Sequence, residues 1–158
     1  MSTSNIVLPP LQTWAEQHLS AVIKATTQAD FDAAFDAFVA AGAKIVVNGK
    51  QISRDAYKTL LRGASFDEAG AEVAFGGAVQ VSTNLQAGVV GLFYTATIAE
   101  SIVVMGAPVV NQVTSSVNLV IEEDKTLTPP QLPAGVRGFF DGRRVTALNQ
   151  VIVDARGN

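Results

Sequence analysis

The chemistry available to this chain is narrow. Its 158 residues include one histidine, His18, and no cysteine. Disulfides, thiolate catalysis and Cys-ligated zinc are excluded, and a multi-His metal site is excluded with them. His18 lies in TWAEQHLSAVIK, one helical turn after Trp14, where the apolar spacing places a buried side chain. A neutral imidazole in an apolar pocket can serve as general acid or base, because its pKa can be set near the working pH. It can equally be a core group bonded to a backbone carbonyl. Tyr57, in SRDAYKTLLRG, is the residue that would orient a substrate beside it. These two are the only catalytic candidates.

Further polar residues can line a cavity without reacting. Asn111 and Ser115 alternate with Val109, Val113 and Val117, and Asn149 lies between Ala147 and Val151. If those faces point inward with Trp14, His18 and Tyr57, the result is an apolar pocket with a few neutral hydrogen-bonding groups. Such a lining suits a small, flat or greasy ligand better than rapid proton transfer. The plainer alternatives stay open: Trp14 and Tyr57 can be core, and Asn111 and Asn149 can face a second subunit. Asp32 and Asp36, one turn apart, read as a solvated helix face. Gly76-Gly77 reads as a bulge and not a phosphate cradle, since no helix start follows it. Arg143-Arg144, after Asp141-Gly142, reads as a charged turn.

The elements that must hold these residues follow from spacing. Pro9 and Pro10 open a first helix, in which Leu11, Trp14, Ala15, His18, Leu19, Val22 and Ile23 form one stripe. A second helix starts at Thr27, which with Asp30 three residues later resembles an N-capping arrangement; it buries Phe31, Ala34, Phe35 and Phe38, and has Gly42 as its stop. KIVVNGKQI is a hairpin about Asn48-Gly49. Ser53 caps a third helix that buries Tyr57, Leu60 and Leu61 and ends at Gly63. Long β-branched segments then span Glu72–Ser82, Gly88–Met105 and Val109–Glu123, separated by turn clusters at Thr83–Ala87 and Gly106–Pro108. DKTLTPPQLPAG is a Pro-rich loop. GFFDGRRVTALNQVIVDA is a last strand pair or one bent strand. Helices first and antiparallel strands after them make an α+β domain over residues 9–155, preceded by an arm at 1–8.

Composition limits the partners. Apolar residues make up 48%, charged residues 16%, and the net charge is −3. Eleven scattered Lys and Arg form no basic stripe, so a nucleic-acid partner is not expected. MSTSNIVLPPLQTW lacks the basic and continuous apolar regions of a signal peptide, which makes the cytoplasm the expected location. Between Val73 and Ile121 the one charged residue is Glu100. Gln80, Asn84, Asn111, Gln112 and Asn118 interrupt that run too often for a spanning helix, so no membrane partner is expected. No cofactor is expected either. An antiparallel sheet with one wet face normally carries Lys and Glu there. Here the positions alternate to Asn111 and Ser115 are Val110, Gln112, Thr114, Ser116, Asn118 and Val120. A face of that kind loses its water at low cost, and a homodimer through it is the expectation.

The order of segments resembles the NTF2-like superfamily, of cystatin-like α+β fold, and within it the SnoaL-like proteins. FDAAFDAFVAAGAKIVVNGKQISRDAYKTLLRG, the paired long strands and FFDGRRVTALNQVIVD carry the resemblance, over roughly residues 9 to 155. It implies an NTF2-like cone: three N-terminal helices packed in a strongly curved antiparallel sheet, with a pocket inside and dimerisation through the outer face. The superfamily mixes isomerases, dehydratases, cyclases and hydrolases with non-catalytic binding or assembly domains, so the fold cannot decide the function. The isomerase pattern wants a carboxylate just after the second helix, where this chain has AAGAKIVV. The dehydratase pattern wants strand histidines, and there are none. The hydrolase pattern wants an Asp-Arg-Asp network, for which no grouping is evident. The expected protein is therefore a homodimer whose cone binds a small hydrophobic molecule, without a recognisable catalytic constellation. The alternative is a cofactor-independent lyase, isomerase or cyclase using His18, and the third reading is a protein adaptor like the nuclear transport factor.

Overall fold

In the computed structural model the described residues are 8–63, 68–128, 134 and 140–156. The proposed arm at 1–8 therefore lies outside them except for Leu8, and so do residues 129–133 and 135 of the Pro-rich loop. Helix α1 (Leu11–Lys24) begins directly after Pro10, whose φ of −52° already matches a helix entry. Helix α2 (Gln28–Phe38) is capped by Thr27, whose Oγ1 accepts the Asp30 amide at 3.1 Å. It stops four residues before Gly42. Val39 turns to an extended conformation there and starts strand β1 (Val39–Val47), so a β-branched residue with a strand partner ends the helix, and no glycine does.

Asn48 and Gly49 join β1 to β2 (Lys50–Ile52) with φ values of 51° and 82°. Both are positive, as a two-residue type I′ hairpin demands. Helix α3 (Arg54–Gly63) is capped by Ser53 Oγ, which accepts the Ala56 amide at 3.0 Å. It buries Tyr57 and Leu61, but Leu60 is half-exposed at the rim of the sheet, contrary to the expectation from its spacing. Strands β3 (Glu68–Asn84), β4 (Ala87–Val104) and β5 (Ala107–Glu123) form a meander, and β6 (Arg143–Arg156) is one strand and not a pair.

The six strands lie in the order β2-β1-β6-β5-β4-β3, in a curved sheet whose two edges do not meet. All pairings are antiparallel except β1 with β6, which is parallel, so the sheet is mixed where an antiparallel one was expected. The β1 segment comes out of the helical layer and fills the free flank of β6, which fixes its direction. A bulge opposite Phe93 between Phe75 and Gly77 bends β3, as the glycine pair suggested. The concave face buries Val90, Leu92, Ile98, Val117 and Leu119 against Trp14, Leu19, Phe31, Phe35 and Phe38. Each such side chain contributes about 1.5–3 kcal/mol of transfer free energy on burial. Among the described residues no helix is long and apolar enough to cross a membrane.

Candidate functional site

The polar groups expected to line a cavity are divided among three places. The first is a plug in the middle of the concave face. Tyr57 Oη donates to Gln150 Oε1 at 2.6 Å, and Gln150 Nε2 donates to Ser115 Oγ at 2.7 Å and Tyr94 Oη at 2.9 Å. All four residues are buried. The network ties α3 to three strands. Burial pushes the Tyr57 phenol well above its ordinary range, with the nearby Tyr94 adding to the rise, and burial also raises Tyr94. Neither phenol is a base at neutral pH.

Beyond the plug, towards the open end, Ile23, Leu60, Leu61, Tyr94, Ala96 and Ile98 line a crevice of about 30 Å³. That is the scale of a water molecule, far below the ~300–1,000 Å³ of ordinary ligand pockets. Asn111 is buried beside it, paired in register with Ile98. Its Oδ1 has no hydrogen-bond partner among the described residues.

The second place is the narrow end. His18 is half-buried and not buried as its spacing suggested; its ring is tilted by 37° against Trp14, with centroids 4.5 Å apart, and stacks on Phe38 at 6.3 Å. Trp14 in turn lies under the Arg143 guanidinium at 5.6 Å. Arg143 is 0% exposed. Its Nε and Nη2 donate to both oxygens of Asp141, at 2.8–3.2 Å, and its Nη1 donates to the Pro9 carbonyl at 2.7 Å. Arg144 reaches the Asp36 carbonyl at the end of α2. Of the pair read as a charged turn, Arg143 is thus a buried clamp between Asp141 and the Pro9 carbonyl, and Arg144 is half-buried beside it. Burial lowers the His18 pKa from 6.5; Asp141 opposes this, and Arg144 and Arg143 reinforce it. Burial alone would raise Asp141, but the hydrogen bonds from Arg143 outweigh it and hold the carboxyl below its ordinary range. His18 and Tyr57 belong to different clusters, since the Tyr57 hydroxyl is committed to Gln150.

The third place is the outer face. Asn149 is exposed there, away from the concave face that holds Asn111 and Ser115. A bulge explains it. Ile121 pairs with Val145 but Val120 pairs with Ala147, so Thr146 is an extra residue that inverts the alternation. Val145, Leu148 and Gln150 point inward, and Ala147, Asn149 and Val151 do not. Sequence reasoning missed Gln150 for this reason, and it missed Asp141 and Arg143 because a DGRR tetrapeptide looks like a turn. An inward Gln150 could have been inferred from one signal, the three-residue spacing of Val145 and Leu148.

The outer face is uncharged over its centre. Val89, Gly91, Phe93 and Thr95 of β4, Thr114, Ser116 and Asn118 of β5, and Asn149, Val151 and Val153 of β6 lie in register across it. Phe93 is 47% exposed and Val151 63%. Lys44, Glu72 and Glu122 stand only at its margins.

No family model and no curated protein matches the sequence. Solved structures do match the fold. A Kribbella flavida protein, Kfla4162, is 11% identical, with a TM-score of 0.60 over 90% of this chain and 89% of its own. A chain of the Candida albicans Mtr2–Mex67 M domain complex is 9% identical, with a TM-score of 0.58 over 92% of this chain and 96% of its own. An NTF-2 like protein of unknown function from Pseudomonas aeruginosa, PA1314, is 12% identical, with a TM-score of 0.50 over 89% of this chain and 94% of its own. With three helices against a curved, unclosed six-stranded sheet, this chain has the NTF2-like fold.

Proposed function

We propose that this protein is a cytoplasmic, non-catalytic pairing domain: two copies dock through the outer faces of their sheets. The observation that carries the reading is the uncharged centre of that face, with Val79, Val81, Val89, Phe93, Val151 and Val153 exposed on it. Soluble monomers rarely leave a contiguous patch of this kind open. Depletion of charge at the centre with charge at the rim is the pattern of a subunit interface. The solved complex of Mtr2 with the Mex67 M domain supports partnership as a use of this fold. The interior supports the non-catalytic half, because Tyr57 and Ser115 are locked in the Gln150 network. Sedimentation over a concentration series tests the proposal. A dimer at about 10 μM, converted to monomer by Val151→Glu with an unchanged circular dichroism spectrum, is the expected result. A wild-type monomer at about 100 μM overturns it.

A second reading is favoured by the unpartnered Oδ1 of Asn111 beside the apolar crevice. A small hydrophobic molecule with one hydrogen-bond donor, admitted by a displacement of α3, would satisfy that oxygen. A thermal-shift panel of apolar alcohols and phenols tests it, since a bound ligand raises the melting temperature by mass action. A shift seen in wild type and lost in Asn111→Leu supports this reading, and no shift across the panel removes it.

A further inference from the structure

Asn48 is the one asparagine of the chain that is followed by glycine. In an Asn-Gly pair the next amide nitrogen has no Cβ beside it to block its approach to the side-chain carbonyl carbon. Its attack forms a C–N bond, expels ammonia and leaves a cyclic succinimide. Water then opens the ring at either carbonyl, giving an aspartyl or an isoaspartyl residue without enzyme or cofactor. Asn48 is exposed, so water reaches it. Hydrogen bonds to β6 decide what this fold does with that chemistry. The Asn48 amide donates to the Gln150 carbonyl at 2.9 Å. Asn48 Nδ2 donates to the Ile152 carbonyl at 3.1 Å, and Asn48 Oδ1 accepts the Ile152 amide at 2.9 Å. A carboxamide has the donor and acceptor of a peptide unit. The side chain therefore continues the β1–β6 ladder past Val47, where the main chain turns away through Gly49.

We propose that Asn48 is a deamidation site restrained by the flank of β6, and that its conversion frees β6 from Gln150 to Ile152. Both polar ends of the carboxamide are tied to Ile152, so the side chain must let go of β6 before it cyclises. The product cannot take the same place. A carboxylate accepts the Ile152 amide but has no hydrogen for the Ile152 carbonyl, so two oxygens face each other. An isoaspartyl residue also lengthens the main chain by a methylene, inside a hairpin whose register depends on a two-residue loop. The effect reaches the interior through Gln150. Its main-chain carbonyl is held by Asn48, and its side chain holds Tyr57, Tyr94 and Ser115 together. The same hairpin leads through β2 into α3, which carries Tyr57. One uncatalysed hydrolysis at an exposed turn thus loosens the buried network from both sides.

The test uses the full chain, incubated in mildly alkaline buffer with and without urea and followed by peptide mapping with isoaspartate detection. In urea, Asn48 is expected to convert ahead of every other asparagine. In the folded chain its conversion is expected to be at least about tenfold slower than in urea, because it must wait for local opening. Asn48→Asp reproduces the aspartyl product. In that variant the Ile152 amide is expected to exchange with deuterium at least about tenfold faster than in wild type, read by NMR. Amides of the β3–β4 hairpin are expected to keep their wild-type rates, which separates a local release from global loss of stability. Equal conversion rates in the folded and urea-unfolded chains overturn the restraint. A wild-type exchange rate at Ile152 in Asn48→Asp overturns the release of β6. Should Asn48→Asp fail to fold, aged wild-type protein separated by ion exchange supplies the converted chain for the same measurement.

Discussion

Gln150 is the side chain on which the interior turns. It accepts from one phenol and donates to a second phenol and a hydroxyl, all out of contact with water. Gln150→Leu keeps the volume and strands those groups, each at about 1–3 kcal/mol, so urea denaturation is expected to show a loss of several kcal/mol. The clamp at the narrow end makes an asymmetric prediction. Arg143 is wholly buried while the Asp141 side chain is 29% exposed, so a widowed carboxylate can turn to solvent and a widowed guanidinium cannot. Asp141→Ala is expected to cost about 3–5 kcal/mol and Arg143→Met less, by the same measurement. His18 gives a pH dependence. Its folded pKa lies below 6.5, so the unfolded chain takes up the proton first. Stability is therefore full above about pH 6.5 and falls as pH drops towards the depressed folded value. Asp141 moves in a lower window, because its own depressed pKa removes stability only as pH falls through the carboxylate range. His18→Phe is expected to flatten the upper limb of the stability–pH curve alone.

Strand geometry decides what each face presents. The outer face owes its bend at β3 to the bulge between Phe75 and Gly77, and the inner face owes its plug to the bulge at Thr146. Close packing of α1 on the β3–β4 hairpin is equally specific. A Cβ on Gly88 would run into the Val81 carbonyl and Ser82 Cα, both backbone, and into Leu11 Cδ1. Gly88→Ala is expected to destabilise by about 2–4 kcal/mol, since backbone cannot move aside cheaply. In the monomer, Gly77→Ala, in open space, is expected to be neutral or to stabilise slightly, as removing a strand glycine does. Paired thermal melts check the contrast. The helix and strand spans were largely legible in the sequence, through the Thr27 and Ser53 caps and the Asn48-Gly49 turn. The end of α2 was not, because Val39 leaves the helix to pair with Val145, a residue more than a hundred positions away.

A domain that pairs through its sheet face gains stability from association. The melting temperature of the wild-type protein is therefore expected to rise with protein concentration, and that of Val151→Glu is expected to stay constant, by calorimetry at a low and a high loading. What the amino-acid sequence determined alone was the set of elements, the NTF2-like order and the shortage of reactive groups, since caps, turns and apolar periodicity act over a few residues. It also determined that the outward positions of β5 carry no charge before Glu122, because strict alternation holds along that strand. What only the tertiary structure decided was which side chains meet. A single extra residue at 146 inverts β6, so Gln150 enters the core and Asn149 leaves it. Asp141 and Arg143 form a buried clamp against Trp14 because the start of β6 folds onto the N-terminus of α1. Strand parity and long-range contact depend on register between distant segments, and no local spacing carries that information.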